Sequence, residues 1–233
     1  MKRVFFKMTV FILLTHILLG GDLIGTVIYR GKIPAAKRLR MDSDPACCAN
    51  DQEDNYSESF LVDENNHLAN VIIYLNNVKY NKKETKDPAI LDQKGCRYIP
   101  HVLCVQTNQE VKILNSDLTL HNVHGRPKNN TVFNFGMPKT VKEKTITFRK
   151  TDDVFVVKCD VHPWMKSYIQ VFNHPYFAVS AKDGKYIIPN IPPGNYEVIA
   201  WQEKFGSKKT LIKKVNIGDQ TARLDFIFVR PNK

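Results

Sequence analysis

Short apolar runs recur along the chain, rich in Val, Ile, Tyr and Phe and punctuated by Gly, Pro, Asn and Asp. They lie at Gly25–Tyr29, Asn70–Leu75, Val102–Val105, Glu110–Leu114, Thr145–Phe148, Val154–Cys159 and Tyr168–Phe172. Runs of this length and composition, bounded by turn residues, predict β-strands. Period-two alternation puts Phe155, Val157 and Cys159 on one strand face and Lys158 on the other, so the cysteine emerges from the apolar side. No long stretch repeats apolar residues at helical spacing over several turns. One helical turn is predicted at Asp87–Asp92, where Pro88 suits a first helical position. Many short strands without intervening helices predict an all-β fold, an antiparallel sandwich or barrel.

Beyond Asn173–Pro175 the pattern becomes a self-contained set of hairpins. Asp183-Gly184 lies between two strand-like runs and is a two-residue turn signal. Pro189 to Asn195 forms a second turn cluster, and Glu197–Gln202, Leu211–Ile217 and Leu224–Val229 follow as strands. About sixty residues make a small, marginal sandwich that leans on what precedes it. Met41–Glu64 is acidic, polar and poor in strand formers, and is predicted to be a long surface connection. The expected division is a leader over 1–21, a larger β domain with an N-terminal extension over 22–172, and a smaller β-sandwich over 173–233.

The leader reading rests on Lys2, Arg3 and Lys7 ahead of the apolar run Met8 to Leu19, which ends at Gly20 and Gly21. This is a secretory pattern, too short for a membrane span. It predicts a periplasmic or secreted chain with no transmembrane span in its mature form. The formal charge is +11. Without the three leader cations it is +8, which favours partners with acidic faces. No RNP, zinc-finger or helix-turn-helix pattern is present, which argues against nucleic acid.

The densest chemistry is Cys159-Asp-Val-His162-Pro-Trp-Met165. It offers a thiolate, an imidazole and a thioether in one short segment, a combination that suits copper. A trigonal site of two histidines and one cysteine needs a second imidazole. Asn115 to His124 supplies it, with His121 at a predicted strand end. Zinc is the chemical rival, since cysteine and histidine also suit it, but a thioether ligand argues against zinc.

Both motifs resemble those of the blue-copper cupredoxins, closest to the amicyanin/plastocyanin group. The ligand loop Cys-x-x-His-Pro-aromatic-Met matches Cys159 to Met165, and His-Asn-Val-His matches His121 to His124. The resemblance covers the stretch from Val102 to Phe172. It implies a cupredoxin-like Greek-key sandwich or barrel with one mononuclear copper site. His121, Cys159 and His162 would be equatorial ligands, and Met165 the weak axial one. It implies that Asn122 ties the two ligand loops together by hydrogen bonds and that His124 is not a ligand. It also implies that the edge of His162 reaches the surface within an apolar rim as an electron port. Pro163 and Trp164 follow that histidine; Trp164 either joins the docking patch or packs the loop. More widely, the chain is similar to exported bacterial proteins in which a plastocyanin-like domain precedes a carboxypeptidase-regulatory-like or transthyretin-like β-sandwich. The stretch from Asp183 through Val198 carries that likeness. The chain departs from small cupredoxins in its segment Leu23–Asp92 and in an insertion around Gly125–Lys144.

Five cysteines are present. Cys47 and Cys48 are adjacent and cannot readily bond each other. The wider resemblance favours a bridge from one of them to Cys96, without choosing which. Cys104 reads as a buried free thiol. His101 and His124, with His121, would enlarge the site or build a second one; alternatively His101 is a hydrogen-bonded strand-start residue. Met137 is a substitute axial ligand in one alternative. His67 and His174 show no ligand-like spacing. No nucleophile–base–orienter set appears, so no enzyme activity is expected. The expected function is one-electron transfer with a redox partner protein. The alternatives are a copper delivery or storage module, a catalyst with an open coordination position, and surface or carbohydrate binding through the second domain.

Overall fold

The computed structural model describes residues 20–42, 44–48, 55–81, 87–206 and 209–230. The leader expected over 1–21 lies outside them except for Gly20 and Gly21, and Gly21 opens the first strand.

In chain order the strands are β1 (Gly21–Arg30), β2 (Ile72–Leu75), β3 (Ala89–Gln93), β4 (Tyr98–Ile99), β5 (Val102–Gln106) and β6 (Glu110–Asn115). They continue with β7 (His121–Gly125), β8 (Phe133–Met137), β9 (Glu143–Thr147), β10 (Asp152–Lys158), β11 (Lys166–Phe172) and β12 (Phe177–Val179). The last are β13 (Lys185–Ile191), β14 (Gly194–Trp201), β15 (Leu211–Ile217), β16 (Ala222–Arg223) and β17 (Phe226–Val229). The fold is all-β, as the pattern predicts. Among the described residues the only α-helix is the single turn α1 (Pro45–Cys48), and no helix is long and apolar enough to cross a membrane.

One sandwich pairs the sheet β4-β3-β6-β9 with the sheet β5-β11-β10-β7-β8. Leu91, Val111 and Ile113 from the first sheet meet Val123, Val157 and Ile169 from the second in one fully buried core. Each such side chain contributes about 1.5–3 kcal/mol by leaving water. Along β10, Phe155 and Val157 point inward and Lys158 outward, and Cys159 follows on the buried side. The helical turn expected at Asp87–Asp92 is instead strand β3. Leu91 and Gln93 face the core while Ile90 is exposed. A parallel ladder with β6, Ala89 opposite Val111 through Gln93 opposite Asn115, outweighs the local preference that Pro88 signals.

The second sandwich departs from the expected boundary at 172/173. Its sheets are β12-β2-β14-β15 and β13-β1-β16, with β17 also paired to β1. Two of these strands, β1 and β2, come from the N-terminal part of the chain. β1 runs antiparallel to β13 and parallel to β16 and β17, so it occupies the middle of its sheet. Leu23, Val27, Ile73 and Leu75 share a core with Ile188, Val198, Phe226 and Phe228. The C-terminal segment alone lacks the strands to close both sheets. At Gly25 an added Cβ would lie 1.9 Å from the Leu224 carbonyl oxygen, so only glycine lets the closing strand pass. The Asp183-Gly184 turn forms, with Gly184 at φ 68°. It joins β12 and β13, which belong to opposite sheets rather than to one hairpin.

Ile72, Val102, Phe172 and Trp201 form a third apolar cluster where the sandwiches meet. Cys104, expected to be a buried free thiol, is free and half-buried against it. Met41–Glu64 is not a plain surface connection. Met41 and Cys47 are buried in the first core, and a Cys47–Cys96 disulfide ties the segment down. The Cys48 side chain lies outside the described residues.

Candidate metal centre

The loop 159–165 joins the antiparallel neighbours β10 and β11, and His121 opens β7 on the other side of β10. The ladders therefore bring the two motifs to one end of one sheet. The loop is folded by its own backbone. The Cys159 N–H donates to the Met165 carbonyl at 3.2 Å, and the Met165 N–H donates to the His162 carbonyl at 2.9 Å.

His121, Cys159 and His162 converge, each offering one donor atom within 4.8 Å of the others. The two Nδ1 atoms lie 3.0 Å apart, and His162 Nδ1 lies 3.7 Å from Cys159 Sγ. Exposure of the three is 0 %, 1 % and 2 % for His121, His162 and Cys159. Met165 is buried in the same core as Cys159, its loop closed by the bonds above. The Sγ atom accepts from the Asn122 and His162 N–H groups, both at 3.3 Å. Asn122 also joins the loops through its Oδ1, which accepts from the Asp160 N–H at 3.2 Å. Burial pushes the Cys159 thiol up, but His121 and the N–H groups of Asn122, His162 and Val161 outweigh it and hold the pKa below the ordinary value. For His121, burial pulls the imidazolium down, yet Asp117 and Cys159 outweigh it and raise its pKa to about 9.

The far nitrogen of each ring is held by a carboxylate. Asp117 Oδ2 lies 2.8 Å from His121 Nε2, and Asp117 also accepts from the Gly95 and Cys96 N–H groups. Asp44 Oδ2 lies 2.9 Å from His162 Nε2. Both Nδ1 atoms are thereby turned toward the sulfur. Two soft or borderline nitrogens with one thiolate, all out of water, form a donor set that fits copper. Two further groupings, Asp44–Cys47–His162 and Cys96–Asp117–His121, share these histidines from behind. Their cysteines are joined in the disulfide and offer no thiolate.

One expectation is overturned. The edge of His162 does not reach the surface. Asp44 and Cys47, whose Sγ is 3.7 Å from Nε2, cover it. Trp164 is half-buried, its ring centroid 5.0 Å from that of His162, and its Nε1 donates to the Cys96 carbonyl at 3.0 Å. Pro163 is exposed.

The other candidates lie outside the convergence. Arg126 Nε donates to His124 Nε2 at 3.1 Å, so this nitrogen is the acceptor and Nδ1–H donates to Asp160. His101 Nε2 meets Glu203 at 2.5 Å. Met137 pairs with His121 across β7 and β8, and its sulfur accepts from Gln93 Nε2 at 3.2 Å. His67 is bonded to Asp63. Sequence reasoning missed Asp117, Asp44 and Tyr98, whose hydroxyl donates to the Asn122 carbonyl at 2.5 Å. Asp117 carries a faint signal, four residues before His121; Asp44 is 118 residues from its partner and carries none.

No protein-family model and no curated protein matches the chain. Solved structures similar to part of it include a Cu-containing nitrite reductase from Thermus scotoductus SA-01, at 22 % identity and TM-score 0.34, covering 41 % of this chain and 25 % of that one. An oxidised amicyanin variant matches at 22 % identity and TM-score 0.33, covering 36 % of this chain and 81 % of that one. A purple cupredoxin from Nitrosopumilus maritimus matches at 21 % identity and TM-score 0.30, covering 36 % and 98 %. The chain thus spans a quarter of the length of the nitrite reductase it matches.

Proposed function

We propose that the chain holds one copper ion through His121, Cys159, His162 and Met165 and carries single electrons between partner proteins outside the cytoplasm. The observation that carries this reading is the convergence of two Nδ1 atoms and one sulfur in a buried pocket whose rings are already oriented from behind. Copper bound there would supply a reversible one-electron couple between its cupric and cuprous states.

The protein's own part follows from the geometry. Asp117 and Asp44 fix the tautomer and tilt of the two rings, as carboxylates behind metal-bound histidines do. The Asn122 and His162 N–H groups point at the sulfur and drain charge from it, which favours the electron-rich state of the site. Burial excludes water and small oxidants from the thiolate. The same enclosure argues against a role in rapid copper delivery, which needs an exposed and adaptable site. The Cys47–Cys96 disulfide supports an oxidising compartment.

The test is copper(II) reconstitution of the full chain, followed by optical and electron-spin resonance spectra of wild type and Cys159→Ala. An intense visible thiolate-to-copper band in the wild type, absent from the variant, is the expected result. Identical spectra from the two proteins would overturn the assignment.

A further inference from the structure

We infer that the basic groove beside the 159–165 loop is the docking surface for an acidic face of a partner protein, and that Trp164 is the contact joining this groove to His162. The purpose of the docking rests on the electron-transfer reading above; the binding itself does not.

The groove holds about 770 Å³ and is lined by Lys37, Arg38, Arg40, Lys166 and Lys204, together with Pro163 and Trp164. Among the described residues, none that lines it is a carboxylate. Glu203, next in sequence to the lining Lys204, has a side chain only 4 % exposed and is bonded to His101, Lys166 and Lys204. Glu58 lines the small adjoining cavity instead. The cations on one wall are held in place by their backbone. The Leu39 N–H donates to the Asn55 carbonyl and the Ser57 N–H to the Lys37 carbonyl, both at 2.8 Å. Leu39 packs against the first core.

Two observations select this surface. Asp44 and Cys47 close the imidazole edge of His162. The aromatic neighbour of that ring, Trp164, reaches the groove instead. The occupant follows from charge and extent. The cations that line the groove come from three separate chain segments, 37–40, 166 and 204. A polypeptide face carrying several carboxylates spans them, whereas a lone inorganic anion does not.

The experiment maps amide and indole NMR shifts of the isotope-labelled full chain, loaded with diamagnetic copper(I) and again without metal. The chain is titrated with a short peptide of glutamate and aspartate, with the equivalent lysine peptide, and with inorganic phosphate. The acidic peptide should shift residues 37–40, 164–166 and 204 together with the Trp164 indole N–H, and added salt should weaken it. The surface variant Lys37→Glu/Arg40→Glu should bind the peptide at least about tenfold more weakly while keeping the other resonances in place. Shifts scattered over lysines outside the groove, equal affinity for phosphate alone, or undiminished binding by the variant would each overturn the inference. Because the metal-free arm needs no copper, a failed copper assignment leaves its result intact. A silent groove likewise leaves the copper spectrum intact.

Discussion

At the scale of single residues, the site depends on groups that never touch its centre. Asp117 is held by two backbone N–H groups and presents one oxygen to His121. Removing it frees the ring to turn and leaves its far N–H buried without an acceptor. Asp117→Ala is therefore expected to weaken copper binding by roughly tenfold to a hundredfold, the usual cost of losing such a support. Titration against a competing chelator measures this, and an affinity within twofold of wild type would contradict it. A different histidine sets a pH response. Burial pulls His174 down from 6.5 to about 4, and its Nδ1 accepts from the Tyr176 N–H. Its folded value is depressed, so its stabilising contribution is complete above the unfolded value near 6.5. It is lost as the pH falls from there toward 4, and levels off below. The whole effect is about 3 kcal/mol at most. His174→Asn keeps an acceptor there without titrating. Urea melts at pH 7 and pH 4.5 should show a smaller acid loss in the variant; equal losses in both proteins would remove His174 from the account.

At the scale of elements, the turn α1 and its disulfide are the departure that matters most. The place of the 159–165 loop was legible because its pattern is local: Cys159, His162 and Met165 fall within one turn between paired strands, and period-two alternation placed the sulfur inward. The cover over His162 was not legible. Asp44 sits on a segment tied down by the Cys47–Cys96 bridge and accepts from the Thr119 hydroxyl, and a polar segment with no periodicity gives no sign of where it lands. Strand β3 departs from the local pattern for a related reason: Pro88 is a local signal, and the parallel partner β6 is distant in sequence. The bridge has a sequence separation of 49. In the chain-entropy picture a loop of that size contributes about 4 kcal/mol. Cys47→Ala/Cys96→Ala should lose stability of that order in urea melts. It should also open His162 to water, seen as faster reaction of its ring with an imidazole-modifying reagent. A variant whose His162 reacts no faster would show that the turn holds its place without the bridge.

At the scale of the whole molecule, the chain crosses between its two sandwiches more often than its linear pattern suggests. The run at Gly25–Tyr29 was recognisable as a strand, but its partners β13, β16 and β17 lie near the far end of the chain. Hydrophobic alternation reports which face of a strand is buried, not which sheet receives it. Within β1, Leu23, Val27 and Tyr29 are almost wholly buried. Their removal from water contributes roughly 5 to 9 kcal/mol, as much as the entire net stability of a small domain. Residues 173–233 alone would therefore lack both the central strand of one sheet and, in β2, an interior strand of the other. That fragment is expected to show the narrow amide dispersion of an unfolded chain. Deleting residues 20–31 from the full chain should strip hydrogen-exchange protection from β13 and β14 first and leave β6 and β10 protected, because those strands bury their side chains in a separate core. A dispersed, protected spectrum from the isolated fragment would mean that the C-terminal strands close their own sheets. The N-terminal strand would then be an addition to that sandwich rather than its spine.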